Sequence, residues 1–293
     1  MKTDIPRINF DKSQNLGIEV MSFNDLVKKL SLSKGHNPYA IHRIEFFLIL
    51  MVTRGAYTHF VDFELFRLTK GSTLFVSKNQ IHHFTKDLKE CEGFCIIFRN
   101  ELNSTINFSL ELLKLNRIFN YHLGSPVVHQ NDMNDDSLVG LGANLYREYL
   151  VSSRFAKAEI LSALLQALLL KAERAKAFQS ISGIKIHWLD LFNRFKNRLE
   201  KEYTTTRNSR AYAKELFISY KFLNEIVKKL TGKTAKAFID DYVIIEIKRY
   251  LVSTPLSVKE ISYKTGFDEP GNHVKFFKKN TGVTPLKFRQ QFQ

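Results

Sequence analysis

The stretch AKELFISYKFLNEIVKKLTGKT, residues 213–234, decides the fold of the C-terminal third of this 293-residue chain. Ser219 is placed to cap a helix, because a serine side chain accepts a hydrogen bond from an amide of the first helical turn. Four apolar residues then recur at helical spacing and define an inward face: Leu223, Ile226, Val227 and Leu230. Gly232 ends this helix, since glycine tolerates the left-handed C-terminal cap. A helix over 211–217, a tight turn and this capped helix predict a helix-turn-helix unit.

The same pattern recurs about 50 residues later in SVKEISYKTGFDEPGNHVKFFKKNTGVTP, residues 257–285. A short helix begins near Val258 and stops at Gly266, and Asp268 or Glu269 caps a second helix with Pro270 in its first turn. The tetrapeptides KLTG, residues 229–232, and KNTG, residues 279–282, close the two equivalent helices. Internal duplication is the simplest interpretation, with a long helix over 238–251 joining the two units.

These motifs resemble, in the correct order over about 100 residues, the DNA-binding domain of the AraC/XylS family. The resemblance rests on AKEL with Ile218-Ser219, on SVKEIS and GFDEP, and on FFKK followed by TGVTP and Phe288-Arg289. It implies a regulator, not an enzyme, whose two units enter successive major-groove segments on one face of double-stranded DNA, with RNA polymerase as a partner. His273 stands where this family generally has a buried phenylalanine, so we expect a core histidine.

The candidate DNA-binding residues lie on the outward faces of the two second helices. Asn224 has the donor and acceptor pair that suits adenine, and Lys221 can donate to guanine. Lys278 and Lys279 fit phosphate anchoring better than base recognition, and Gly271 permits a close approach to the duplex. The full set is Ser219, Tyr220, Lys221, Asn224, Lys228, Gly271, Asn272, Lys275, Lys278 and Lys279.

Charge supports this assignment without deciding it. The chain has a formal net charge of +15, and residues 181–293 hold 22 Lys and Arg against 11 Asp and Glu. A basic segment beside a nearly neutral one is typical of a surface that binds a polyanion. A merely soluble basic surface has the same composition, so charge alone leaves both interpretations open.

The N-terminal part predicts short strands over 44–53, 58–68, 74–76 and 94–98, which favour a small barrel or sandwich. The fold class is therefore α+β: a cupin-like β-barrel with flanking helices, then an all-α domain. Resemblance to the barrel of many AraC/XylS members implies a possible small-molecule effector. Candidate lining residues are Tyr57, His59, His82 and Phe84, although ordinary core packing is the simpler explanation of these four. The neighbours His82 and His83 point to opposite faces of a strand, so we expect no metal site and no cofactor.

The segment 154–178 predicts a helix with leucines over much of its circumference. Such a helix packs against its own barrel. Its remaining apolar surface either contacts a second copy of the chain or is buried within the same chain. Residues 180–183 are the candidate linker between two domains. We therefore expect an effector-sensing and dimerisation domain over 1–180 and a DNA-binding domain over 185–293, with a homodimer as the assembly.

The remaining sequence features limit the cellular location of the protein, and two alternative functions stay open. We expect no signal peptide behind Met1, and the longest apolar run, residues 46–52, is too short to predict a membrane-spanning helix. Cys91 and Cys95 lack a metal-site spacing and are expected to be buried in a reducing cytoplasm. A catalytic cupin attached to a DNA-binding domain is one alternative, and an architectural DNA-binding protein without effector control is the other. Family resemblance favours an activator.

Overall fold

The computed structural model describes residues 4–10, 16–32, 37, 39–99, 118–129, 137–153, 155–179 and 186–292. The chain divides into two compact units: Arg7–Ser182, and Gly183–Gln293 together with Met1–Pro6. Every described strand belongs to the first unit, which we call the N-terminal unit. The second, the C-terminal unit, is built from helices. The predicted α+β class, with a sheet-rich cupin-like domain before a helical one, is confirmed.

The described strands of the N-terminal unit form two five-stranded sheets. In chain order they are β1 (Arg7–Ile8), β2 (Ile18–Ser22), β3 (His42–Ile44), β4 (Phe47–Arg54), β5 (Ala56–Val61), β6 (Glu64–Thr69), β7 (Ser72–Val76), β8 (Ile81–His83), β9 (Glu92–Phe98) and β10 (Val127–His129). One sheet has the order β1-β3-β8-β5-β6 and the other β10-β7-β4-β9-β2. All described pairings are antiparallel except that of β1 with β3.

Strand β4 shows why this part of the chain is so apolar. Its alternate residues Leu48, Leu50 and Val52 belong to a core that both sheets share. The intervening Phe47, Ile49 and Met51 belong to a second core, which contains helix residues. Because successive side chains of a strand point to opposite faces, a strand buried on both faces is continuously hydrophobic.

The predicted single strand over 58–68 is wrong, because this segment is the β5–β6 hairpin. Asp62 and Phe63 form its turn, with φ angles of 44° and 75°. Two consecutive residues with positive φ are typical of the tight hairpin turn that matches strand twist, and Asn-Gly is its usual sequence signal. Asp-Phe does not carry that signal. The turn therefore depends on the pairing of its two strands, which begins directly at Val61 and Glu64.

In the described part of the N-terminal unit, three α-helices accompany the sheets: α1 (Phe23–Leu32), α2 (Ser137–Leu150) and α3 (Lys157–Gln179). Helix α3 matches the predicted leucine-rich helix. Its leucines 161, 165, 168 and 169 are buried in the second core with residues of α2 and β4. Ile160 and Leu170 remain 41% and 43% exposed. The predicted helical pattern at Leu110 and Leu113 lies outside the described residues.

The C-terminal unit contains seven helices in its described part. They are α4 (Ile186–Glu202), α5 (Ser209–Glu215), α6 (Tyr220–Thr231), α7 (Ala235–Ser253), α8 (Val258–Lys264), α9 (Pro270–Thr281) and α10 (Pro285–Gln290). Helix α7 begins three residues before the predicted start at Phe238. The Thr234 side chain accepts a hydrogen bond from the Ala237 amide, and this cap allows the earlier start.

In the part of the chain that the structure describes, no helix is long and apolar enough to cross a membrane. Cys91 and Cys95 are buried free thiols, as predicted.

Candidate nucleic-acid interface

Helices α5 and α6 form the first helix-turn-helix unit. The Ser219 side chain accepts a hydrogen bond from the Phe222 amide and caps α6, and Gly232 ends α6 with a φ of 73°. The four predicted inward residues of α6 are all buried. The turn before Ser219 closes with a hydrogen bond of 3.1 Å from the Ile218 amide to the Ala213 carbonyl. These features confirm the predicted local structure of this unit.

Helices α8 and α9 repeat the same construction. The Phe267 amide donates to the Ser262 carbonyl at 2.9 Å, which is the counterpart of the bond at Ile218. Glu269 occupies the N-cap position of α9, although its side chain makes no capping hydrogen bond, and Gly282 ends the helix with a φ of 79°. The two units are structurally equivalent, as the internal duplication predicts.

The turns of the two units differ at one equivalent position. The left-handed residue is Gly266 in the second unit and Phe217 in the first, with φ angles of 75° and 57°. The Phe217 side chain is 92% exposed. Positive φ is unfavourable for a bulky residue. Aligning the two repeats places Phe217 opposite Gly266, and this difference is the sequence signal that the position is unusual.

Nine of the ten predicted DNA-binding residues are exposed on the two recognition helices or at their N-termini, and Asn224 is half-buried. Five of the ten are lysines, at positions 221, 228, 275, 278 and 279. None of these five forms an ion pair with another described residue. Lys233 and Lys236, by contrast, pair with Asp241 and Asp240 on α7. The lysines of α6 and α9 are therefore available to phosphates.

Asn224 has a structural role that the sequence interpretation missed. Its Oδ1 accepts a hydrogen bond of 2.9 Å from the amide of Ala235, the first residue of α7. In the second unit, Val274 and Pro285 stand at the equivalent positions, so the acceptor and the N–H donor are both missing there. This paired difference between the repeats is the signal that identifies the contact. Since an amide oxygen has a second acceptor site, a contact of Asn224 with adenine stays a prediction.

His273 lies in the core of the second unit, as predicted. Its side chain is fully buried, with the ring 5.1 Å from that of Phe267. Neither ring nitrogen has a hydrogen-bond partner among the described residues. Burial, and then the nearby charge of Arg207, lower the pKa of His273 to about 4. The histidine is therefore neutral at physiological pH and occupies an apolar environment.

The four residues predicted to line an effector pocket in the N-terminal unit lie together. Nδ1 of His59 is 2.6 Å from the Tyr57 hydroxyl, and Nε2 of His59 is 3.1 Å from Nδ1 of His82. The Phe84 ring contacts both histidine rings. If Tyr57 donates to His59, then His59 carries its proton on Nε2 and donates to His82. Burial, with the charges of His83 and His42 contributing, lowers the pKa of His59 to about 3.

This cluster is closely packed in the described structure, since none of its four members is more than 6% exposed. The sequence interpretation missed His42, whose ring centroid is 4.4 Å from that of His82. His83 points away from the cluster and stacks on Phe60. Within the described residues no group of three or more His, Cys, Asp or Glu side chains has a geometry that could hold a metal ion.

Comparisons with known proteins match both the N-terminal and the C-terminal unit. A family model described as a helix-turn-helix domain matches residues 212–291. A second, described as an AraC-like ligand binding domain, matches residues 34–169. Together the two models account for most of the chain.

Similarity to individual proteins is partial. The Msm operon regulatory protein of Streptococcus mutans is 33% identical over 104 residues, and the match spans 34% of this chain and 36% of that protein. The HTH-type transcriptional activator RhaR of Mannheimia succiniciproducens is 21% identical, covering 87% of this chain and 88% of that protein. The activator RhaS of Pectobacterium atrosepticum is 22% identical, covering 85% and 87%. From its two matched domains and its duplicated helix-turn-helix units, the chain belongs to the AraC/XylS family of transcriptional regulators.

Proposed function

We propose that this chain is a sequence-specific, effector-responsive transcription regulator that reads two successive major-groove segments with α6 and α9. The observation that carries the proposal is the presence of two equivalent helix-turn-helix units in one chain, each with lysines that no described carboxylate neutralises. A recognition helix fits the major groove, and cations at its ends hold the phosphates. DNA binding in turn implies a cytoplasmic location.

Selection from a random DNA pool tests this proposal. We expect the full chain to enrich one sequence and to prefer it over random DNA by about 10³-fold or more at physiological salt. Binding without enrichment would contradict sequence-specific regulation and favour an architectural role. Stoichiometric iron, manganese or zinc in the purified protein would support the catalytic alternative instead.

The relatives RhaR and RhaS are named as activators. This supports activation as the direction of regulation and RNA polymerase as a further partner. The matched ligand-binding domain supports a small-molecule effector, and we propose the cluster of Tyr57, His59, His82 and Phe84 as part of its site. Because these side chains are buried, binding there requires the cluster to open.

Replacing Lys278 and Lys279 together by alanine is expected to weaken binding to the selected site and to random DNA alike. Both lysines lie in the last turn of α9, where they are exposed. Losing two phosphate contacts lowers the slope of log K against log salt concentration by about 1.8. The matched control is the double alanine variant of Lys86 and Lys89, which removes two exposed charges from the N-terminal unit. An unchanged slope in the α9 variant would mean that these lysines do not reach phosphate.

Asn224→Ala is expected to lower affinity for the selected site by about 1 to 3 kcal/mol and to change binding to random DNA little, because a base contact is lost. It also removes the bond to the Ala235 amide. Asn224→Asp keeps an acceptor for that amide but lacks the NH₂ donor, so it separates the two roles. We expect both variants to lose site preference and only the alanine variant to lose about 1 kcal/mol of stability. Equal losses of Asn224→Ala on both kinds of DNA would exclude base recognition by Asn224.

We further propose that the exposed side of α3 pairs two chains. Ile160 and Leu170 are exposed there, whereas Leu168 is fully buried, so a charge at Leu168 is expected to unfold the unit instead. The double variant Ile160→Lys with Leu170→Lys should be monomeric by sedimentation with an unchanged circular dichroism spectrum. Its affinity for a two-copy site should fall by roughly 10², because the second chain no longer binds intramolecularly.

The control for this pair of substitutions is Leu65→Lys, since Leu65 is a 67% exposed leucine on β6 of the same unit. A wild-type chain that is already monomeric would contradict the dimer and leave α3 as a helix buried within one chain. The domain limits are part of the same proposal: residues 185–293 are expected to fold alone and to keep the half-site preference.

A further inference from the structure

One arginine connects the segment before the first helix-turn-helix unit to the second helix-turn-helix unit. Arg207 lies in the segment between α4 and α5, which precedes the first unit, and its Nη2 donates to the carbonyls of Thr265 and Gly266 at 2.7 and 3.1 Å. These carbonyls follow the C-terminal end of α8, where helical carbonyls lack partners within the helix and a cation is favourable. The contact spans 58 residues of sequence.

The same guanidinium lies over two rings of the second unit. Its central carbon is 3.6 Å from the centroid of the Phe267 ring and 5.5 Å from that of Phe276. Phe276 is on α9, so Arg207 contacts both the turn and the recognition helix. A planar guanidinium can stack on an aromatic ring and donate in its own plane at the same time, and a lysine ammonium cannot replace both contacts.

Close backbone packing accompanies the arginine. A Cβ atom added to Gly266 would lie 2.1 Å from the Thr204 carbonyl oxygen and 2.6 Å from the Thr204 Cα. The turn of the second unit is therefore in van der Waals contact with the backbone of the α4–α5 segment. No side chain is tolerated between them without movement of one backbone.

The α4–α5 segment is also fixed to the first unit. The Tyr212 hydroxyl of α5 donates to the Thr206 carbonyl at 2.9 Å, and Asn208 caps α5 by accepting from the Arg210 amide. Residues 204–208 therefore form a bridge with hydrogen bonds to α5 on one side and to the α8–α9 turn on the other. Helix α7 also joins the two units, but it enters and leaves through the short turns at Gly232 and Pro255.

We propose that Arg207 is a positioning residue that fixes the orientation of α9 relative to α6 and thereby sets which spacing between two half-sites the chain accepts. The spacing part of this inference rests on the proposed DNA-binding function. The orientation part does not, because it concerns the DNA-free chain.

The orientation is tested by double electron–electron resonance on the full chain with spin labels at Lys229→Cys and Lys279→Cys, equivalent exposed positions of α6 and α9. The native cysteines are buried, and a parallel sample without the introduced cysteines measures their background labelling. We expect one narrow distance distribution, which Arg207→Lys broadens or shifts. The matched control is Arg210→Lys at an exposed neighbouring position, which should keep the narrow distribution. An unchanged distribution in Arg207→Lys would overturn the proposal.

The consequence for DNA is tested with duplexes that carry the site selected by the wild-type chain, or that site with one base pair inserted between its halves. We expect the insertion to weaken wild-type binding about tenfold or more and Arg207→Lys binding about threefold or less. Both proteins carry the same charge, so their binding to random DNA should be equal. If a folded Arg207→Lys loses as much affinity as the wild type when the base pair is inserted, the spacing role is contradicted.

If Arg207→Lys unfolds, Arg207 maintains stability and the positioning proposal is wrong. If the wild-type chain selects no site, the DNA-binding proposal fails while the distance measurement still decides the orientation.

Discussion

Replacing Gly266 by alanine is expected to lower the free energy of unfolding of the C-terminal unit by about 3 kcal/mol or more. Two costs add at this position. Gly266 has a φ of 75°, and a left-handed conformation costs an alanine about 1 kcal/mol. The added Cβ would also lie 2.1 Å from the Thr204 carbonyl oxygen, an overlap with backbone that only a shift of the α4–α5 segment or of the turn relieves. Such overpacking typically costs 1–3 kcal/mol, about 2 kcal/mol on average.

Gly232→Ala and Gly282→Ala are the matched controls. These glycines have φ angles of 73° and 79°, and an added Cβ at either meets nothing within 4 Å. Each control should therefore cost only the conformational term of about 1 kcal/mol. Urea unfolding followed by the fluorescence of Trp188, the only tryptophan of the chain, reports on the C-terminal unit. An equal loss of unfolding free energy at all three glycines would show that the α4–α5 backbone shifts without an energetic cost.

His273→Phe is expected to reduce the acid sensitivity of the C-terminal unit. Burial lowers the pKa of His273 to about 4, against about 6.5 in an unfolded chain. Between these values the unfolded state binds a proton that the folded state excludes, so stability is full above pH 6.5 and is lost as the pH falls towards 4. The difference in pKa corresponds to at most about 3 kcal/mol. Phenylalanine also removes two buried nitrogens without partners among the described residues, and this should raise stability at neutral pH.

Unfolding free energies at pH 7.5 and pH 4.5, again from Trp188 fluorescence, test this expectation. The free energy of unfolding of His273→Phe should exceed that of the wild type by more at pH 4.5 than at pH 7.5. His187→Phe is the control, because it removes an exposed histidine of the same unit. If His273→Phe and the wild type differ equally at both pH values, another group causes the acid sensitivity.

The sequence predicted those parts of the fold that depend on local chemistry. The cap at Ser219, the stop at Gly232 and the inward face of α6 all follow from residue type and spacing, and the structure confirms them. The hairpin at Asp62 and Phe63 was missed because strand pairing, and not a turn signal, forces positive φ there. The short strands β1, β3 and β10 have two or three residues each, too few for a periodic pattern.

The candidate interface was predictable to the same extent. Helical periodicity alone identifies the outward lysines of α6 and α9. The contact of Asn224 with Ala235 depends on how the consecutive helices α6 and α7 meet, and that of Arg207 with Thr265 joins segments 58 residues apart. No local pattern encodes such contacts, although comparison of the two repeats reveals the first of them.

Hydroxyl-radical footprinting of the full chain on its selected DNA tests the central claim, that both units of one chain read DNA together, most directly. We predict two protected patches per bound chain on one face of the duplex, about 10 base pairs apart. A Lys221→Ala change in α6 should weaken one patch, and a Lys275→Ala change in α9 should weaken the other. A single patch per chain, or the same patch weakened by both changes, would contradict the account.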